Sequence, residues 1–320
     1  MNIVITIDFE IPLYRKLSFD VKQWLNEAYQ TIMNIEDREK LISHITFFIQ
    51  TDHLYDVYNE CENIISEMKN SRDELGVHIH ELNTLNLIEI KKKLQHAVVS
   101  MNKKALKPRV FRAGAFLLPP IQRYLAEIGF IGDFSAVPNY YPLPWEYPIR
   151  KSIYHLQIKD LLSCNWWGVP YTPYQMDFEN KIESGSLNII EFPISADLNG
   201  AHIYGSLDRI HSQSQIQKII DQYNAVGRNK EVFFILYFHP FDILRLTSKK
   251  NHFVDYTQVN KLLTIIKYLK NTDNPIFLNG FEAVNKWKLI SRDHRNWIKE
   301  KTRKRDVAYN YIKYILNKDS

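Results

Sequence analysis

Short, unbroken apolar runs recur along this chain, and their rhythm limits the fold more than any other feature. They span Asn2 to Asp8, His44 to Thr51, Glu74 to His80, Arg109 to Phe116 and Gly129 to Ser135. Three more span Leu187 to Ser195, Glu231 to Pro240 and Pro275 to Gly280. The runs are β-branched and aromatic and do not alternate with polar residues, which suits strands covered on both faces. Helical patterns lie between them, clearest at Tyr55 to Lys69, Thr84 to Lys103, Pro119 to Ile128, Ser212 to Val226 and Tyr256 to Lys270. Strand followed by helix, many times over, argues for parallel crossovers. About seven or eight such units predict a closed α/β barrel, whose site would lie at the C-terminal ends of its strands. The chain has 320 residues, 45% of them hydrophobic, enough for one core of that size. With only 10 glycines, it has little material for glycine-rich nucleotide loops.

Ionisable residues gather at those same ends. Asp8 and Glu10 close the first run, Asp52 and His53 follow the second, and His78 and His80 close the third. Arg112 lies on the fourth, Asp133 closes the fifth, and His239 ends the run Phe233 to His239. Each of these has an ordinary explanation alone. An acid at a strand end commonly caps the next helix, and an arginine commonly makes a structural ion pair. The signal is their co-occurrence at one rim.

The pairs carry the chemistry. Residues two apart on a strand point the same way, with Cα atoms roughly 6–7 Å apart. His78 and His80 can therefore bring two imidazoles to one ion. Neutral imidazole suits zinc and its neighbours, and a catalytic zinc takes three protein ligands and leaves a place for water. A carboxylate of the Asp8/Glu10 pair is placed to be the third ligand and the other to be a base. We assign Glu10 to the metal and Asp8 to the proton, with the exchanged assignment open and Asp52 and His53 as reserve ligands. Arg112 is expected to orient Asp8 through a bidentate contact. His239 is expected to act from the far side of the barrel as proton donor to a leaving nitrogen.

Two stretches break the rhythm. Val137 to Pro148 and Asn165 to Tyr174 are dense in proline, tryptophan and tyrosine. They predict inserted loops at about 137–178, either a minor core or a wall for a sugar ring built from Trp145, Trp166, Trp167 and Tyr171. The formal charge is +5, with lysine and arginine concentrated between Lys286 and Lys318. The expected organisation is one barrel over residues 1–290 and a basic helix over 291–320. That helix is a solvated face or a contact for phosphate or an anionic membrane surface. It has no nucleic-acid reading motif, so no nucleic-acid partner is expected. The 2 cysteines, Cys61 and Cys164, form no metal or redox motif. With no export signal or apolar span, the cytoplasm is the expected location.

In sequence, the chain resembles the polysaccharide deacetylases, the family-4 carbohydrate esterases. The resemblance runs through Thr6 to Glu10 ("TIDFE"), "HITFFIQTDH", "ELGVHIHE", "FRAGAF", "GFIGDFS" and "ILYFHP", in the family's motif order from about Asn2 to Pro240. It departs in spacing. The family's acids are adjacent and its histidines four apart, whereas here each pair is two apart, as in outlying branches associated with bacterial surface polysaccharides. The resemblance implies a distorted (β/α)7-type barrel and a divalent metal, zinc foremost. It also implies Asp133 as a further catalytic residue. The implied activity is hydrolysis of an N-acyl group, acetyl or formyl, from a nucleotide-linked or lipid-linked amino sugar. The alternative is the same fold without catalysis, binding a glycan or a partner enzyme.

Overall fold

The computed structural model describes residues 1–11, 20–41, 43–52, 55–80, 82, 86–138, 166, 168–198, 204–227, 231–246 and 252–291. Most of the insertion, and residues 292–320 of the expected basic helix, lie outside these.

In chain order the elements are β1 (Asn2–Phe9), α1 (Val21–Glu39), β2 (Ile45–Gln50), α2 (Val57–Glu60), α3 (Glu62–Ser71), β3 (Glu74–Ile79) and α4 (Leu87–Lys103). Then come β4 (Val110–Ala113), a 3-10 turn (Gly114–Phe116), α5 (Gln122–Glu127), β5 (Gly132–Asp133), β6 (Tyr174–Gln175) and β7 (Ile190–Glu191). The last are α6 (Gln213–Gly227), β8 (Phe233–Phe238), α7 (Pro240–Ile243), β9 (Leu244–Leu246), β10 (His252–Val254), α8 (Tyr256–Lys270), β11 (Ile276–Leu278) and α9 (Gly280–Ser291). The chain thus has the predicted α/β architecture, with several differences in extent. The helical pattern from Tyr55 is broken at Cys61, which has non-helical backbone and is buried between α2 and α3. β7 is far shorter than its apolar run, although beyond it Phe192 N–H still donates to the Asp133 carbonyl and Ile194 N–H to the Ala136 carbonyl, both at 2.8 Å. The longest helix among the described residues, α1, carries a stripe of Trp24, Leu25, Ala28, Tyr29, Ile32 and Ile35 against the core and is capped by Asp20.

The main sheet runs β11-β1-β2-β3-β4-β5-β7-β6, with β8 on the free side of β1. Every pairing within this sheet is parallel except β6 with β7, and β9 and β10 form a separate antiparallel pair. β1 is the hub, in register with β8 from Asn2 to Ile7 and with β2 from Ile5 to Phe9. Between β7 and β8 no ladder forms, and single bonds curl the sheet shut. Ile235 N–H donates to Ser195 Oγ at 2.8 Å, and Tyr237 N–H donates to the Gly205 carbonyl at 2.7 Å. Gly205 is required there, since a Cβ would collide with the Ile235 carbonyl oxygen.

Strand alternation divides the core into two. Ile3, Ile5, Ile7 and Phe9 face the helices in an outer cluster. Val4, Phe48, Val110, Phe134, Phe192 and Ile235 fill the inside, where Ala283, Val284 and Trp287 of α9 join them. Along each central strand the inward positions turn polar toward and just past the C-terminal end: Val4, Thr6, Asp8 on β1 and then Glu10; Phe48, Gln50 on β2 and then Asp52; Gly76, His78 on β3 and then His80; Val110, Arg112 on β4. An apolar plug at one end thus supports a polar chamber at the other.

Candidate metal centre

The two sequence pairs meet. Glu10 Oε2 lies 2.9 Å from His78 Nε2 and 2.5 Å from His80 Nε2. The three residues are buried, with 5%, 1% and 2% of their surface exposed. They are the only group of three or more potential ligands that converge among the described residues.

The outer nitrogens decide what this trio wants. His78 Nδ1 is 3.1 Å from the Arg112 carbonyl, which can only accept, so Nδ1 carries the proton. His80 Nδ1 is 2.7 Å from Asp52 Oδ2, another acceptor. In the neutral tautomer both Nε2 atoms then point a lone pair at a carboxylate oxygen. Three electron-pair donors so arranged repel one another unless a positive charge sits between them. Imidazoles pinned through their far nitrogen by a carbonyl and a carboxylate are how proteins orient metal ligands. The donor set therefore fits a divalent ion, and Glu10, His78 and His80 could hold one. Without an ion, a proton on His80 Nε2 supplies that positive charge. Burial opposes charge on His80, yet Glu10 and Asp52 pull it up to about 10. Burial likewise opposes charge on Glu10, yet His80 and His78 hold it far below the usual carboxylate range.

Asp52 stands behind His80, outside the converging trio. Its Oδ1 accepts from Gln50 Nε2 at 3.0 Å and from Tyr55 N–H at 3.3 Å, and Gln50 in turn accepts from Ile11 N–H at 3.0 Å. His53, the other reserve ligand, lies outside the described residues.

Asp8 sits one step deeper, in the grip of Arg112. Nη1 reaches Asp8 Oδ1 at 2.5 Å, Nη2 reaches Thr6 Oγ1 at 2.9 Å, and Nε reaches the Phe134 carbonyl at 2.9 Å. The guanidinium is fully buried and lies 4.4 Å from the Phe48 ring centroid. This corrects the bidentate expectation: Thr6, two residues before Asp8 on the same face, takes the second Nη. Asp8 Oδ2 is left facing His239.

His239 is not across the barrel. β8 pairs directly with β1, opposing Thr6 with Tyr237 and Ile7 with Phe238. His239 Nε2 consequently lies 3.8 Å from Asp8 Oδ2 and 3.6 Å from Glu10 Oε1. Its Nδ1 is 3.2 Å from Asp242 Oδ2, and its ring stacks on Phe241 at 4.4 Å. Burial works against a charged ring, but Asp242 first, then Glu10 and Asp8, raise His239 to about 9. Its side chain is 21% exposed, so it can meet a molecule arriving from solvent.

Other expected residues lie elsewhere. Asp133 points outward, because its neighbours Gly132 and Phe134 face the inner cluster. Trp166 is fully buried and donates its indole N–H to the Phe116 carbonyl at 2.8 Å, so its ring packs and offers no exposed wall. Tyr171 is partly exposed and donates to the Leu198 carbonyl at 3.5 Å. Trp145 and Trp167 lie outside the described residues. Thr6, Gln50 and Asp242 were not anticipated. Only Asp242 has a local signal, a His-x-x-Asp capping box at the start of α7.

No protein-family model matches the sequence, and no curated protein matches it. Solved structures do match. One is a probable polysaccharide deacetylase from Pseudomonas aeruginosa PAO1, with TM-score 0.52 and 11% identity over 92% of each chain. Another is a 4-alpha-glucanotransferase from Thermococcus litoralis, with TM-score 0.56 and 12% identity, covering 89% of this chain and 40% of that one. At such identities the likeness is one of fold. The chain has a polysaccharide deacetylase-like α/β barrel, and its C-terminal rim carries a buried carboxylate–imidazole group suited to a metal. No helix among the described residues is long and apolar enough to cross a membrane.

Proposed function

We propose that this protein is a metal-dependent amidohydrolase that removes an acetyl or formyl group from the nitrogen of an amino sugar. The observation that carries the reading is the convergence of Glu10, His78 and His80 with Asp8 and His239 packed directly beside them. A divalent ion, zinc by its preference for such ligands, would polarise the acyl oxygen and make water acidic. Asp8 serves as base: Arg112 fixes Oδ1, leaving Oδ2 to accept the proton of the attacking water. His239 is charged at neutral pH and stabilised by Asp242, and it delivers a proton from Nε2 to the departing nitrogen. The C–N bond breaks, a C–O bond forms, and carboxylic acid and amine leave. An inert glycan binder would need none of this acid–base pairing.

The fold likeness and the motif resemblance support a carbohydrate amide as substrate. We extend the reading to a nucleotide-linked or lipid-linked amino sugar in surface-polysaccharide assembly, whose phosphate, or a membrane surface, the basic residues of 292–320 would meet. The test is metal analysis of the purified protein alongside release of acetate and formate from N-acylated amino sugars. The reading expects about one equivalent of metal, lost in His78→Ala together with turnover. A protein that takes up no divalent ion at micromolar supply would overturn it.

A further inference from the structure

On the outer face of β5 and β7 lies a pair of acids that the proposed reaction does not use. Asp133 and Glu191 oppose each other directly in the ladder, and both are fully buried. Each has one oxygen satisfied. Asp133 Oδ1 accepts from the N–H and the hydroxyl of Ser135, and Glu191 Oε1 accepts from Ala136 N–H at 2.8 Å. Asp133 Oδ2 and Glu191 Oε2 find no donor among the described residues. Two carboxylates in contact cannot both ionise, whereas one proton between them turns repulsion into a hydrogen bond.

Two cations favour charge on the pair, Lys181 acting on Asp133 and Arg112 on Glu191, but neither gives a hydrogen bond to Asp133 Oδ2 or Glu191 Oε2. Arg112 of β4 faces the chamber and holds Asp8. Tyr174 of β6 lies opposite Glu191 and donates to the Lys181 carbonyl. The Lys181 ammonium donates to the Leu118 carbonyl and lies 4.2 Å over the Trp166 ring. Burial raises both acids, Asp133 to about 6 and Glu191 well above the carboxylate range, where Asp133 adds to the effect.

A short run of backbone connects the pair to the chamber. Ser135 Oγ donates to Asp133 and accepts from Ala113 N–H at 2.8 Å. The intervening Phe134 gives its carbonyl to Arg112 Nε. We infer that one proton shared by Asp133 and Glu191 holds the Phe134–Ser135 backbone in the place from which Arg112, and through it Asp8, is positioned. Both acids are positioning residues acting from the opposite face of the sheet, and the consequence for rate rests on the proposed hydrolysis. When the shared proton leaves to solvent, two buried anions push β5 and β7 apart and the Phe134 carbonyl shifts.

The test needs no turnover. Glu191→Gln keeps the shape and donates an amide proton to Asp133 without titrating. The Arg112 Nε–H resonance of the labelled full chain, assigned by its loss in Arg112→Lys, is followed as pH rises from neutral into the alkaline range. It is expected to shift in the wild type and to lose that shift in Glu191→Gln. Thermal stability follows the same sign. Acids raised in the fold stabilise fully below their ordinary range and lose that contribution as pH rises, so the wild-type midpoint falls and that of Glu191→Gln falls less. A resonance that is flat in the wild type, or that titrates alike in both proteins, overturns the shared proton. A protein that hydrolyses no amide but shows the Glu191-dependent shift retires the proposed reaction and leaves this inference standing.

Discussion

Asp52 Oδ2 lies 2.7 Å from His80 Nδ1 and also accepts the His80 backbone N–H at 3.3 Å, so one carboxylate sets both the position and the tautomer of that imidazole. Glu10 is gripped from the other side of the ring. The candidate metal centre is therefore three layers deep, with Gln50 holding Asp52, Asp52 holding His80, and His80 facing Glu10.

Asp52→Asn is expected to weaken metal binding while leaving the fold intact. Loss of such an outer carboxylate typically costs about 10–100-fold in affinity. Competition against a chromophoric chelator measures it, and an unchanged affinity would mean that Asp52 merely fills space.

Arg112→Met is expected to be severely destabilising. It strands the Asp8 carboxylate in a chamber with 2% exposure and leaves Thr6 and the Phe134 carbonyl without their donor. Removing one partner of a buried ion pair costs about 3–5 kcal/mol. Denaturant unfolding reads the loss, and the double variant Asp8→Asn with Arg112→Met should recover part of it.

The pH profile of turnover should show an alkaline limb set by His239, which is raised to about 9. In the proposed reaction the charged ring is the proton donor, so kcat/KM is expected to hold through neutral pH and fall as pH passes that value. Asp242→Asn removes the nearest anion and should move the limb toward lower pH. The stability contributed by the pair has the same sign: present below the ordinary histidine pKa, lost as pH rises through about 9. A limb that stays in place in Asp242→Asn would assign it to another group.

Gly205→Ala should strain the seam between β7 and β8, where the added carbon meets the Ile235 carbonyl. A loss of about 2–3 kcal/mol is expected, visible as a lower thermal midpoint. Gly129→Ala offers a contrast, because there only the backbone, at φ +105°, resists substitution and no atom is met.

Much of the fold is legible in the residues, for a local reason. Apolar runs such as Ile3 to Ile7 and Phe233 to Phe238, short and rich in β-branched and aromatic residues, read as strands covered on both faces, and the alternation of side chains puts Asp8 with Glu10 and His78 with His80 on common sides. Those pairs, and their gathering at one rim, needed nothing beyond the period of a strand. The same period places Asp133 on the outside once Phe134 is known to face inward, but the sequence does not state which of the two is inward.

Contacts across the barrel were beyond sequence reasoning, because they depend on strand order and register. Nothing in the run from Phe233 to His239 says that it lies beside β1, yet that adjacency brings His239 within 4 Å of Asp8 and Glu10. Nothing near Arg112 says that Thr6 would claim its second Nη. The residues by themselves determined which ionisable groups the chain carries at its strand ends and roughly where along it. Only the closing of the sheet decided which groups touch, since a hydrogen bond or a metal site requires atoms placed to within an ångström by strands far apart in the chain.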